Sequence, residues 1–145
     1  MHTFLFAESA RYFRRVLGTS PLEKLLTSTP EALKNGNILL LMALDRRYAL
    51  RLLGALTLLE HSAPYRFAKT CQGMRRLVVS PDFIHYHEMH VTVDARHGDD
   101  LLNQVVLPML LRCPQALEEV AIGMLIRYHI ATDYYDGLAS LMGIE

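Results

Sequence analysis

SPDFIHYHEMHVTVDARHG, residues 80–98, decides the fold. Its opening is that of an α-helix. Ser80 stands at the N-cap, Pro81 at the first helical position, and Asp82 in the first turn, where the helix dipole favours an acid. Gly98 supplies an expected stop, because glycine adopts the left-handed conformation that ends many helices. Between these signals lie His90, Asp94 and His97. At about 100° per residue, Asp94 falls about 40° round from His90 and His97 about 20° to the other side. Two imidazoles and a carboxylate therefore project one way over two turns. Phe83, Tyr86 and Val93 share the stripe, so this face is expected to point inward. Three ionisable groups on a dry face are costly unless partnered. A divalent metal is the simplest single partner for such a set, and a metal-free, hydrogen-bonded polar layer is the bland alternative.

The rest of the chain sets the frame for that helix. Its 145 residues make one domain, 1–145, long enough for a real core. With 15 basic and 15 acidic residues, nothing points to nucleic acid or to an acidic partner. The two cysteines, Cys71 and Cys113, stand far apart in no metal-type spacing, as expected of unreactive thiols in a reducing cytosol. The N-terminal MHTFLFAESARYFRR has too short an apolar run for a signal sequence. The apolar stretch 38–59 is interrupted by Asp45, Arg46, Arg47 and Arg51, which a membrane span would not carry. A soluble, cytoplasmic protein with no membrane partner is expected.

Helical signals run from end to end. A first helix over about 3–17 is closed by Gly18. Ser20-Pro21-Leu22-Glu23 is a capping box for a short helix to about Leu26. Thr29-Pro30-Glu31 opens a single turn that Gly36 ends. Asn37 then caps a long helix to about His61, and Pro64 begins another to about Val79. After the 80–98 helix, Asp99 caps one from Asp100 to Arg112 with a kink at Pro108. Pro114 opens the last, to about Met142, with breaks at Gly123 and Gly137. No stretch alternates with period two, and no hairpin turn joins β-rich runs. An all-α bundle with short loops follows.

The long helix carries a second candidate. On its wheel Met42, Ala49, Leu53 and Leu56 lie within about 40° of Glu60, so this acid ends an apolar stripe. A buried carboxylate needs a counter-charge or turns neutral. Arg46 falls on the same side and offers an internal ion pair. The other arrangement has Glu60 facing His90, Asp94 and His97 across the bundle as a fourth ligand, in the way helical bundles build iron sites. His87, about 60° from His90, is placed as packing or as an orienting neighbour rather than a ligand. His85 and Glu88 point to the opposite face, and His129 stands alone. Tyr128, Tyr134 and Tyr135, at helical spacing, are expected in the core.

LLGALTLLEHSAPYRFAKTCQGMRRL followed by FIHYHEMHVTVDARH resembles the C-terminal half of the haem-oxygenase-like diiron oxidases and oxygenases, the iron-containing redox enzyme family. The resembling features are Glu60 with Gly54 before it, Arg75-Arg76-Leu77, and the His-x3-Asp-x2-His of His90, Asp94 and His97. The 30 residues between Glu60 and His90 suit the family too. The resemblance covers residues 37–128. It implies a haem-oxygenase-like helical bundle, a metal site of Glu60, His90, Asp94 and His97, one or two ferrous ions, and dioxygen activation on a small organic substrate. Full-length members carry an N-terminal helical half with further ligands, which the first 36 residues do not match. Glu8 is the acid there not already explained as a helix start. The chain is therefore expected to be a truncated, half version of the bundle that exposes an apolar face and forms a homodimer. The competing expectation is a catalytically silent helical domain acting as a dimerisation or binding module. A cofactor-free relative that binds a heterocycle would need a nucleophilic cysteine on the stripe, where neither Cys71 nor Cys113 falls.

Overall fold

A computed structural model describes residues 2–17 and 29–144. Helix α1 spans His2–Leu17, α2 Pro30–Leu44, α3 Ala49–Arg76, α4 Pro81–Asp100, α5 Leu107–Arg112 and α6 Leu117–Leu141. Short 3-10 turns at Arg46–Tyr48 and Pro114–Ala116 precede α3 and α6, and a π-helical stretch at Leu101–Val106 joins α4 to α5. The described residues contain no strand. The short helix expected over 20–26 lies outside them. Among the described residues no helix is long and apolar enough to cross a membrane.

The long helix α3 is the hub, packing most extensively on α4 and α6. Its contact with α6 is backbone against backbone. A Cβ on Gly54 would lie 2.0 Å from the Val120 carbonyl oxygen, and one on Gly123 would lie 1.9 Å from that of Arg51. Gly123 is therefore no helix break: α6 runs through it, and its missing side chain lets two helices touch. Arg51 and Glu119 clamp the same crossing with a two-pronged ion pair, at 2.6 and 3.0 Å.

Several expected boundaries move. Asp45, not Gly36 or Asn37, separates α2 from α3. Thr29 caps α2, accepting from the Ala32 N–H, and the helix continues through Gly36. Asp45 has extended backbone and takes the Arg47 N–H on its side chain, which starts a new turn. Pro64 does not open a helix but sits inside α3. Lacking an N–H, it leaves the Glu60 carbonyl without its helical donor. Around it, Ser62 and Arg66 side chains both reach the Leu59 carbonyl, at 3.1 and 3.4 Å. Gly98 likewise does not end α4, and Asp99 caps nothing, because the helix runs on into the π-helical stretch. That wider stretch stands just before Pro108, whose ring would otherwise meet the preceding turn.

A true stop follows α3. Val78 adopts φ +56°, its N–H reaches Arg75, and the Val79 N–H reaches Met74, which together end the helix. Val79 and Met74 then join Cys71 and Ile84 in a buried cluster, against which Tyr12, Phe13 and Phe83 pack. Helix α1 lies over the start of α4, with the Tyr12 and Phe83 rings stacked at 4.1 Å and the Ser9 hydroxyl donating to the Phe83 carbonyl at 2.9 Å.

Candidate metal centre

Glu60 from α3 and the inward stripe of α4 meet across one cavity. One ligand-type atom from each of Glu60, Asp94 and His97 lies within 4.8 Å of the others. His97 Nδ1 stands 3.7 Å from Glu60 Oε2 and 3.9 Å from Asp94 Oδ1. His90 falls outside that tight group but lines the same cavity, of about 470 Å³, together with Arg66, Phe67 and Ala63. The expected convergence of four side chains is thus met by three, with the fourth on the wall.

Each group is held by its own element. His90 is buried, and its Nδ1 lies 2.6 Å from the Tyr86 carbonyl one turn back. A carbonyl accepts only, so Nδ1 carries the proton and the lone pair is on Nε2. Phe67 and Tyr86 flank that ring, with centroids 4.8 and 4.3 Å away. Asp94 is buried one turn further on, and His97 is exposed at the cavity edge. Phe67 comes from α3, seven residues past Glu60, so one helix face supplies both an acid and a wall.

Glu60 is the least satisfied group in the site. Its Oε2 is shut off from solvent and has no hydrogen-bond partner among the described residues. Burial, and then the negative charge of Asp94, push this carboxyl above the usual range, while His97, His90 and Arg66 pull only partly against it. Arg46 does not supply the expected ion pair. It lies in the 3-10 turn before α3, exposed, because Asp45 ends the preceding helix.

A divalent cation fits these donors. Two carboxylates match its charge, imidazole nitrogens suit iron, and the cation would satisfy the orphaned Glu60 oxygen. The remaining candidates stay outside. His87 is half-buried against Phe67, with an Nδ1 that has no partner, and burial followed by the nearby His90 lowers its pKa. Glu8 pairs with Arg11 on its own helix. His85 and His129 are exposed, and Glu88 binds Arg75 at 2.6 Å. Tyr128 and Tyr135 are exposed rather than in the core. Neither cysteine lines the cavity.

Two contributors escape a reading of the sequence. Gly98 is buried because the His61 ring fills its side-chain space: a Cβ there would lie 2.9 Å from His61 Nδ1. That nitrogen stands 3.1 Å from the Thr57 carbonyl, so the ring is fixed where α3 and α4 close on the site. Arg66 is the other, a cation in the cavity wall six residues past Glu60. A glycine beside His97 and a histidine beside Glu60 were the available signals.

Carboxylates and imidazoles delivered across facing helices define the class of helical-bundle proteins that bind iron or related metals. Within it, the chain belongs to the iron-containing redox enzyme family, whose family model matches residues 1–132. The fold is accordingly a haem-oxygenase-like helical bundle. The match reaches well N-terminal of residue 37, so α1 falls within the family region as well. No curated protein and no solved structure matches the chain.

Proposed function

We propose that Glu60, His90, Asp94 and His97 hold ferrous iron, one or two ions, in an oxidase or oxygenase that uses dioxygen on a small organic substrate. The observation that carries this is the Glu60 oxygen, buried and without a hydrogen-bond partner, beside Asp94 and His97. Family membership supports a redox role for the chain in general. Ferrous iron bound there supplies the binding and reduction of dioxygen.

The chain's own residues prepare the site. The Tyr86 carbonyl takes the Nδ1 side of His90, which leaves Nε2 as the nitrogen that would bind a metal. Phe67, Ala63 and Leu59 give the cavity an apolar wall. His97, exposed at the edge, leaves the other side open to small molecules. Glu60 holds its proton more firmly than an ordinary carboxyl and releases it when a cation takes its place. A reducing cytosol suits both this metal and the free thiols Cys71 and Cys113.

Elemental analysis with native mass spectrometry tests the assignment. The purified protein is expected to carry iron and the His90→Ala variant much less. Equal occupancy in the two removes His90 from the ligand set. Oxygen uptake with added ferrous iron separates the enzyme from a silent binding module.

A homodimer is part of this proposal, and its support is one face of α2. Leu33, Asn37, Leu40 and Leu44 follow the 4-3-4 spacing of a coiled-coil seam, and all four are exposed. A second copy would cover the leucines and pair the two Asn37 amides. Sedimentation of the wild type against Leu40→Glu reads this directly: a wild-type dimer and a monomeric variant are expected. A monomeric wild type at micromolar concentration rejects it.

A further inference from the structure

The cleft between α3 and α6 is walled by two guanidinium groups, those of Arg66 and Arg127. Arg127 of α6 is 6% exposed, and its Nη1 donates to the neutral amide oxygen of Asn35 at 2.5 Å. Arg66 of α3 has a buried Nε with no hydrogen-bond partner among the described residues, and its Nη2 reaches the Leu59 carbonyl at 3.4 Å. Among the described residues neither forms an ion pair with a carboxylate. Burial, and then the positive charge of Arg66, pull Arg127 below the usual guanidinium range. Two cations facing one cleft, one of them dry, are a costly arrangement until an anion joins them.

The space between them suits one kind of anion. The cleft encloses about 310 Å³, and Leu58, Ala131 and the Tyr128 ring share its lining with the two arginines. Hydrocarbon therefore fits beside the charge. The hydroxyls of Ser62 and Thr132 already donate to backbone carbonyls. Asp136 is exposed in the same lining, which disfavours a multiply charged phosphate over a single carboxylate. Arg66 also lines the cavity of Glu60, Asp94 and His97, so one side chain belongs to both spaces.

We propose that this cleft binds the carboxylate of an organic acid, with Arg66 and Arg127 as donors, and that the acid's chain extends past Arg66 toward Glu60, Asp94 and His97. A guanidinium fork matches a carboxylate in two parallel hydrogen bonds, which fixes direction as well as position. That the bound acid is the substrate rests on the iron assignment. Its binding to the cleft does not.

The test uses the full chain, as purified and again after chelation. Ligand-observed NMR titrations follow hexanoate, 1-hexanol as its uncharged match, and inorganic phosphate. Hexanoate is expected to bind more tightly than hexanol, equally in both preparations, and phosphate to displace it poorly. Arg66→Gln is expected to raise the hexanoate dissociation constant about tenfold, as for one lost charge-assisted pair, and Arg66→Lys to recover part of it. The half-buried Arg66 is varied rather than Arg127, because the buried Arg127 also holds α2 to α6, and circular dichroism checks the fold of each variant. Equal binding of acid and alcohol, or an unchanged constant in Arg66→Gln, overturns the proposal. Hexanoate binding that vanishes on chelation overturns it too, since the carboxylate would then sit on the metal. Phosphate as strong a competitor as hexanoate itself overturns the carboxylate preference. Iron content, measured on the same samples, judges the metal assignment separately.

Discussion

His97 Nδ1 and Glu60 Oε2 face each other at 3.7 Å across the α3–α4 boundary, too far apart for a hydrogen bond. An imidazole nitrogen and a buried carboxyl oxygen left at that separation are spaced for a third atom between them. The metal-free chain therefore keeps a desolvation cost that binding a cation would remove. Glu60→Leu is expected to stabilise the metal-free protein by about 1 kcal/mol in urea unfolding, because it removes an unsatisfied polar atom. The same variant is expected to lose its iron. A less stable metal-free variant would mean that Glu60 contributes to folding by itself.

Gly98 is the support on which that spacing depends. Alanine there would drive its methyl into the His61 ring, which the Thr57 carbonyl holds in place. Either the ring moves or α3 and α4 separate next to His97 and Glu60. Gly98→Ala is expected to keep its helical circular dichroism and to lower iron affinity about tenfold, as for other disturbed ligand supports. Unchanged iron binding would show that His61 yields freely.

The α3–α6 crossing tolerates even less. A methyl at Gly123 would overlap the Arg51 carbonyl, and one at Gly54 the Val120 carbonyl. Backbone cannot rotate away as a side chain can. Gly123→Ala is expected to destabilise the fold by about 3 kcal/mol, the upper part of the usual overpacking range. Urea unfolding measures it, and a loss below about 1 kcal/mol would mean the helices can part cheaply.

The same glycines mark where the sequence stops being legible. Helical content, and the inward placing of His90 and Asp94, follow from three-to-four spacing, a property of one helix alone. Gly98, Gly123 and Pro64 look like punctuation on that basis. In the fold all three lie inside helices, and what the glycines do is decided on a neighbouring helix: His61 against Gly98, and the Arg51 backbone against Gly123. Glu60 was legible as an acid on an apolar stripe, although the wheel ran across the break at Asp45. Arg66 and Arg127 were not legible, because an arginine on a helix is ordinarily solvated and only the packing of α3 against α6 encloses them.

Val78 offers a stabilising change away from the site. A β-branched residue at φ +56° carries about 1–2 kcal/mol of strain. Its side chain is 87% exposed, so shortening it removes little packing. Glycine adopts this conformation freely, and its greater freedom in the unfolded chain offsets about 0.5–1 kcal/mol of the gain. Val78→Gly is expected to raise stability by about 0.5–1 kcal/mol with iron content unchanged. A decrease would show that the turn after α3 is held by contacts of the valine itself.

The Arg51–Glu119 clamp gives the fold a pH dependence of known sign. The Arg51 hydrogen bonds hold the Glu119 carboxyl below its usual range. A group whose folded pKa is depressed stabilises the fold fully above its unfolded value, about 4.3 for glutamate, and loses that contribution as pH falls through the folded value. Wild type is therefore expected to exceed Glu119→Gln in stability at neutral pH, with the gap constant down to about pH 5 and closing below about pH 4. Because both partners are partly exposed, added salt is expected to narrow the gap as well. Thermal melts of the two proteins from pH 3 to pH 7 measure it. A gap that persists at the acid end would show that glutamine disturbs the α3–α6 crossing by its shape rather than by its missing charge.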